Sequence, residues 1–276
     1  MAEQREAVQF FVAGGLSVQR ACALVHIHRS TFRYSAHPPD DTALLSQIQA
    51  LAEQYPRYGY RRITVVLNRT AKVNQKRVRR LWRRHRLQVP RVVRKRMRRP
   101  RPERLQAAYP GHIWAYDFVE DALADGTPLR ILTVMDEFTR EGLALDAAVT
   151  TSAERVIGVL TALFAQHGAP ANLRSDNGPE FVAIAVQAWL AECGVQTLYI
   201  EPGKPWQNGK QERFNGTVRD ECLNLHIFTS LAEACVRPGT FHHHYNHERP
   251  HSQLGYLTPL AFKAAWLEAQ AKVQDS

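Results

Sequence analysis

The chain has 276 residues, 45% of them apolar, enough for one sizeable buried core with smaller modules attached. Its formal charge of +10 is unevenly spread: residues 1–110 hold 24 Lys and Arg against 6 Asp and Glu, and residues 111–276 hold 12 against 20, so a phosphate-neutralising front half precedes a carboxylate-rich back half suited to divalent metal. Cys22, Cys193, Cys222 and Cys235 include no close pair, which argues against a disulfide framework or a Cys-based zinc module, and no apolar run approaches the ~18 residues of a membrane span.

Residues 16–34 place Val18, Ala21, Cys22 and Val25 at helical spacing, break at His26–His28 and resume in a short segment rich in Arg, Ser and Thr. The outline predicts a helix-turn-helix segment over 1–36, although an ordinary helical hairpin fits as well and His26 stands where a tight turn favours Gly. After the turn-like HPPDD at 37–41, Leu44, Leu45, Ile48, Leu51 and Ala52 form one apolar helical face that ends near Pro56. A second pair of helices follows, lined by Ile63, Val66 and Leu67 and then by Val78, Leu81 and Trp82. The other faces of that last helix carry Lys76, Arg77, Arg79, Arg80, Arg83 and Arg84, which suit DNA phosphates. Residues 42–89 therefore read as a basic helical DNA-binding module. Residues 90–110, basic and interrupted by Pro90, Pro100, Pro102 and Pro110, read as an extended linker.

From residue 112 strands and helices alternate. HIWAYDFVEDAL, RILTVMDEFT and LALDAAV predict an antiparallel meander, with a turn at Asp125-Gly126. Val156, Val159, Leu160, Leu163 and Phe164 then mark a helix closed by Gly168, followed by a short strand at 171–177, a helix at 180–193, a strand at 196–200 and a polar helix from about 208. The pattern predicts an α+β or α/β core over 111–225, a mixed five-stranded sheet flanked by helices, with a helical extension over 226–276. Pro238-Gly239 is expected to break or kink that extension.

Three acids stand on different elements of this core: Asp117 in the first strand, Asp176 at the end of the fourth, and Glu212 in the polar helix, with 35 residues between the last two. Oxygen ligands of this kind suit two Mg²⁺ or Mn²⁺ ions serving an in-line phosphodiester displacement. Each acid has a plainer reading as a surface charge or cap, and Asp176 before Asn177-Gly178 also fits a turn. Asn177 and Gly178 are candidates for shaping the loop beside the metal, and Trp206 and Asn208 for holding DNA. Glu180 is a rival third ligand that fits a helix N-terminal charge better. The run HHHYNHERPH raises zinc, against which stands the lack of a Cys at finger spacing.

IWAYDFVED, ANLRSDNGPEF, YIEPGKPWQNGKQERFNGTVRDECLN and YNHERPHSQLGYLTP resemble successive blocks of the second-frame (OrfB) transposases of the IS-three insertion-sequence family, relatives of retroviral integrases. YGYRRI, VNQKRVRRLWRRHRL, GLSVQRAC and HRSTFRY extend the resemblance to the N-terminal half. It implies an RNase H-like core whose Asp, Asp, Glu triad falls on Asp117, Asp176 and Glu212, with Arg219 as the basic residue facing DNA. It also implies metal-dependent cleavage at insertion-sequence ends and strand transfer into target DNA, in the bacterial cytoplasm at the nucleoid. A homo-oligomer on DNA is expected, with a first-frame (OrfA) product as partner or fusion and no membrane partner. The competing expectations are a decayed or regulatory DNA-binding derivative, which Pro238-Gly239 favours, and a nuclease that does not join strands.

Overall fold

The computed structural model describes residues 2–35, 40–90, 105–175, 180–200 and 205–274. Contacts divide the chain into two units, Met1–Gln47 and Ile48–Ser276. In the first, α1 (Ala2–Ala13), α2 (Val18–Leu24) and α3 (Arg29–Arg33) enclose Val8, Ala21, Cys22 and Ile27. Ser17 caps α2 through its side chain, and the α2–α3 turn holds His26 at φ 54°. The turn thus has the left-handed geometry that makes Gly the easier residue, and an L side chain adopts it at some steric cost. α1 packs Val8, Phe11 and Val12, at i, i+3 and i+4, into this small core, and α3 is only five residues long.

α4 (Thr42–Gln54) leads into the second unit, followed by α5 (Tyr60–Leu67) and α6 (Gln75–Arg84). Ile63, Leu67, Val78, Leu81 and Trp82 are buried, as their spacing predicts, while Val66 is only partly so. Asn74 caps α6, its Oδ1 accepting from the Lys76 amide at 2.8 Å.

Five strands follow: β1 (Ile113–Ala122), β2 (Pro128–Asp136), β3 (Gly142–Ala148), β4 (Asn172–Ser175) and β5 (Gln196–Tyr199), in the order β3-β2-β1-β4-β5. β1 to β3 pair antiparallel, and β4 and β5 run parallel to β1. This RNase H-like mixed sheet carries helices on both faces, α7 (Ala153–His167), α8 (Glu180–Glu192), α9 (Gly209–Glu221) and α10 (Leu231–His247), and the last helix in the chain, α11 (Pro259–Gln274), packs against α10. The two-residue period of β1 sorts its side chains. Trp114 and Tyr116 pack with Val156 and Leu160 of α7 and Val186 and Leu190 of α8. Ala115 and Val119 pack with Phe214 and Val218 of α9 and Phe241 and Tyr245 of α10. Asp117 lies between Ala115 and Val119 on that face, a polar residue flanked by apolar ones.

The break expected at Pro238-Gly239 does not occur: α10 runs from Leu231 to His247 with Pro238 inside it. The ring forfeits one backbone hydrogen bond, but Ala234, Pro238, Phe241 and Tyr245 form a buried stripe that holds the helix to the sheet. The first part of the histidine-rich run, through His247, belongs to this helix. The His242 ring nitrogen Nε2 contacts the Gly142 carbonyl, and Asn246 pairs with the same glycine through both backbone groups, at 2.9 Å to its N–H and 2.7 Å to its carbonyl.

The α4–α6 module is seated on α9 and α10. Arg57 pairs with Asp220 at 2.6 Å, Arg62 with Glu221 at 3.0 Å, and the Tyr58 hydroxyl meets His244 Nε2 at 2.9 Å. Among the described residues no helix is long and apolar enough to cross a membrane.

Candidate active site

β1 presents Asp117 toward α9, and the polar residues of that helix are built around it. The Asp117 carboxylate accepts the Phe118 amide on Oδ1 and the Asn215 side-chain amide on Oδ2, both at 2.8 Å. Thr133, paired with Asp117 across β1 and β2, lies 2.9 Å from the Asp117 carbonyl and 2.8 Å from Asn215 Oδ1, with one hydroxyl proton for the two. Fully buried Gln211 closes the network by donating to the Thr133 hydroxyl at 2.7 Å. A buried polar cluster of this kind is costly unless its members satisfy one another, so it fixes α9 against the strands in one register.

That register places Glu212. It follows Gln211 and precedes Asn215 by three residues, so it lies one helical turn from the amide that touches Asp117, and it is exposed. Arg219, also exposed, donates its guanidinium to the Glu120 carbonyl, three residues beyond Asp117 on β1. β4 ends at Ser175, which pairs with Tyr116, the neighbour of Asp117. Asp176, Asn177 and Gly178 are the next residues in the chain and lie outside the described ones, as do the side chains of Glu180 and Trp206. Among the described residues no three His, Cys, Asp or Glu form a cluster able to hold a metal. Asn208, a candidate for holding DNA, has a buried side chain, 4% exposed, at the N-terminus of α9.

The basic residues named from sequence gather on one element. Lys76, Arg79, Arg80, Arg83 and Arg84 are exposed on α6 and Arg77 is partly so, while Val78, Leu81 and Trp82 face inward. Sequence reading missed three supports. Asn215 and Gln211 sit four apart and flank Glu212, a spacing that does signal a shared helix face. Glu137 holds Arg174 at 2.8 Å and Lys210 at 3.2 Å, a buried pairing across three elements with no local signature. Glu221 is gripped at both oxygens by Arg249, each at 2.6 Å, and at 3.0 Å by Arg62. Burial pushes the Glu221 pKa up, but the hydrogen bonds and charges of Arg249 and Arg62 outweigh it and leave it below the usual value.

Known families match this layout. An integrase core domain matches residues 107–205, a second integrase core description matches 193–259, and an HTH-like domain matches 39–96. An uncharacterized protein of insertion element IS407 from Burkholderia multivorans is 39% identical over 268 residues, covering 94% of this chain and 96% of that protein. Its counterpart in insertion element IS476 of Xanthomonas euvesicatoria is 40% identical over 261 residues, covering 93% of this chain and 75% of that protein. Transposase InsD for insertion element IS2A/D/F/H/I/K of Escherichia coli is 28% identical over 250 residues, covering 82% of this chain and 80% of that protein.

Proposed function

The chain belongs to the family of insertion-element transposases built on an integrase core, of the IS-three OrfB type, and from that membership we propose that it cuts bacterial DNA at the element's ends and joins the ends to target DNA. The observation that carries this reading is the 2.8 Å contact between Asn215 and Asp117, which anchors the helix bearing Glu212 to the strand bearing the first acid. Asp117, Asp176 and Glu212 are the acids we assign to catalysis. Their oxygens fit hard divalent cations, and the Asp117 carboxylate is oriented in advance by two donors, as a ligand should be. When bound, two Mg²⁺ or Mn²⁺ ions would activate the attacking oxygen and stabilise the leaving one. The chain's own part is to hold the carboxylates and to present the DNA. Exposed cations on α6 neutralise backbone phosphates, and Arg219 stands on the helix of Glu212 to take a further one. Assembly on paired DNA ends as a homo-oligomer, with the first-frame product as partner or fused to this chain, completes the proposal. Pro238-Gly239, on which the alternative reading as a non-cutting derivative drew, lies within the continuous α10.

Purified protein, alone and with the first-frame product, is incubated in Mg²⁺ or Mn²⁺ with labelled DNA bearing the element's own end, beside Asp176→Asn and Glu212→Gln. The expected products are end-specific nicks and joined strands from the wild type and neither from the variants. Binding without either product under all conditions would make the chain a DNA-occupying derivative, and nicks without joining would make it a nuclease.

A further inference from the structure

α9 has two flanks. At 100° per residue Glu212 and Arg219 share one side, while Lys210, Arg213 and Thr217 share the other, with the core-facing residues between. A cavity of about 190 Å³ opens on that second flank, lined by Arg62, Arg140, Lys210, Arg213, Arg249 and His251, and no Asp or Glu among the described residues lines it. Its cations arrive from four separate places: α5, the β2–β3 turn, α9 and the segment after α10. Glu221 lies behind Arg62 and Arg249 together, so there one carboxylate serves two cations. Arg249 is 4% exposed, and its grip on Glu221 sets the direction of its guanidinium. Arg140 is held at φ 64°, in the left-handed region that favours Gly. Backbone strain that delivers a cation to a cavity is characteristic of a binding site rather than of a solvated surface.

We propose that this cavity is a second nucleic-acid subsite, which takes a backbone phosphate other than the one that reacts. It lies across α9 from Glu212, about one helix diameter or ~10 Å away, so one DNA strand could occupy both. Because Arg62 belongs to the α4–α6 module, the subsite is complete only while that module is seated on α9, and phosphate binding there links module and core. The proposal rests on the nucleic-acid reading above but needs no chemistry, so it is tested without divalent metal.

Affinity of the full chain for duplex DNA is measured between roughly 50 and 200 mM salt for the wild type, Arg213→Ala, Arg140→Gly and the double variant. Arg213 is exposed, and Gly is at ease at the φ of position 140, so both variants should fold, which urea melts check. The expected result is a loss of about tenfold in affinity for the double variant and a salt slope shallower by about 1. In parallel, inorganic phosphate should raise the wild-type melting temperature more than chloride at equal ionic strength, and should not do so in the double variant. An unchanged duplex slope overturns the proposal. If phosphate protection is meanwhile lost in the variant, the cavity belongs to a free anion instead of a DNA backbone. A wild type that binds DNA with the expected variant effect but yields no product overturns the catalytic reading and leaves this one standing.

Discussion

The side chain with the most leverage on the proposed chemistry is Asn215, which is not itself assigned a metal. Its amide is oriented by what surrounds it: Nδ2 faces Asp117 Oδ2 at 2.8 Å, and Oδ1 faces the Thr133 hydroxyl at 2.8 Å and Gln211 Nε2 at 3.3 Å. Flipping the amide would set its oxygen against a carboxylate and its NH₂ against the Gln211 donor, so one orientation is strongly favoured. Partners that orient a ligand in this way typically change metal affinity or activity by ~10–100-fold when removed. Asn215→Ala is therefore expected to lower strand transfer by about that factor while leaving duplex affinity in the absence of metal unchanged. The metal concentration for half-maximal activity should rise with it, whereas a merely structural role would lower activity without moving that midpoint. Asn215→Asp should be worse than Ala, since it places a second carboxylate against Asp117.

At the scale of elements, periodicity in the sequence predicted most of the core to within a residue or two. The row Ala115, Asp117, Val119 alternates with Trp114, Tyr116 and Phe118, and such alternation has one reading for a strand with helices on both faces. Gly168 and Gly126 mark ends where φ is positive, at 80° and 85°. Of the candidate site, the sequence showed Asp117 and Glu212 and the charges of α6. It did not show Gln211, Thr133 and Asn215 acting together, because that contact depends on how α9 meets β2. α10 misled for the same reason: Pro238 is a poor helix residue by propensity, and only the tertiary stripe of Ala234, Phe241 and Tyr245 overrides it. The override has a measurable size. Pro→Ala in a helix interior is worth ~3 kcal/mol, and the buried ring loses about two methylenes at ~0.8 kcal/mol each, so Pro238→Ala should stabilise the protein by about 1 kcal/mol in urea denaturation. Destabilisation of that size would mean that the ring's packing, rather than the helix, decides the site.

At the scale of the whole molecule, the basic front half and the acidic back half meet inside the second unit, where Arg57 and Arg62 bind Asp220 and Glu221. The charge asymmetry read as a division between DNA binding and metal binding thus also serves to seat one half on the other. Because the key groups of this junction are buried, its strength depends on pH, and two groups control different windows. His251 is 8% exposed beside Arg249, and burial followed by that charge lowers its pKa from 6.5 to about 3. Its neutral form is the one the fold accepts, so its stabilisation is complete above about pH 6.5 and declines as pH falls toward 3. Glu221 is depressed below its usual 4.5 by Arg249 and Arg62 after burial is overcome, so its contribution is intact above that value and lost only further into acid. Between pH 6.5 and 5.0 histidines therefore act without Glu221, and at 1.36 kcal/mol per pH unit the His251 share is about 2 kcal/mol. His242, whose pKa burial also lowers, acts in the same direction. Urea melts of wild type and His251→Gln at pH 7.0 and 5.0 separate them: the wild type should lose at least about 2 kcal/mol, and the variant should lose less by roughly that amount. Equal losses in the two proteins would remove His251 from the junction's pH response and leave it to the other buried histidines.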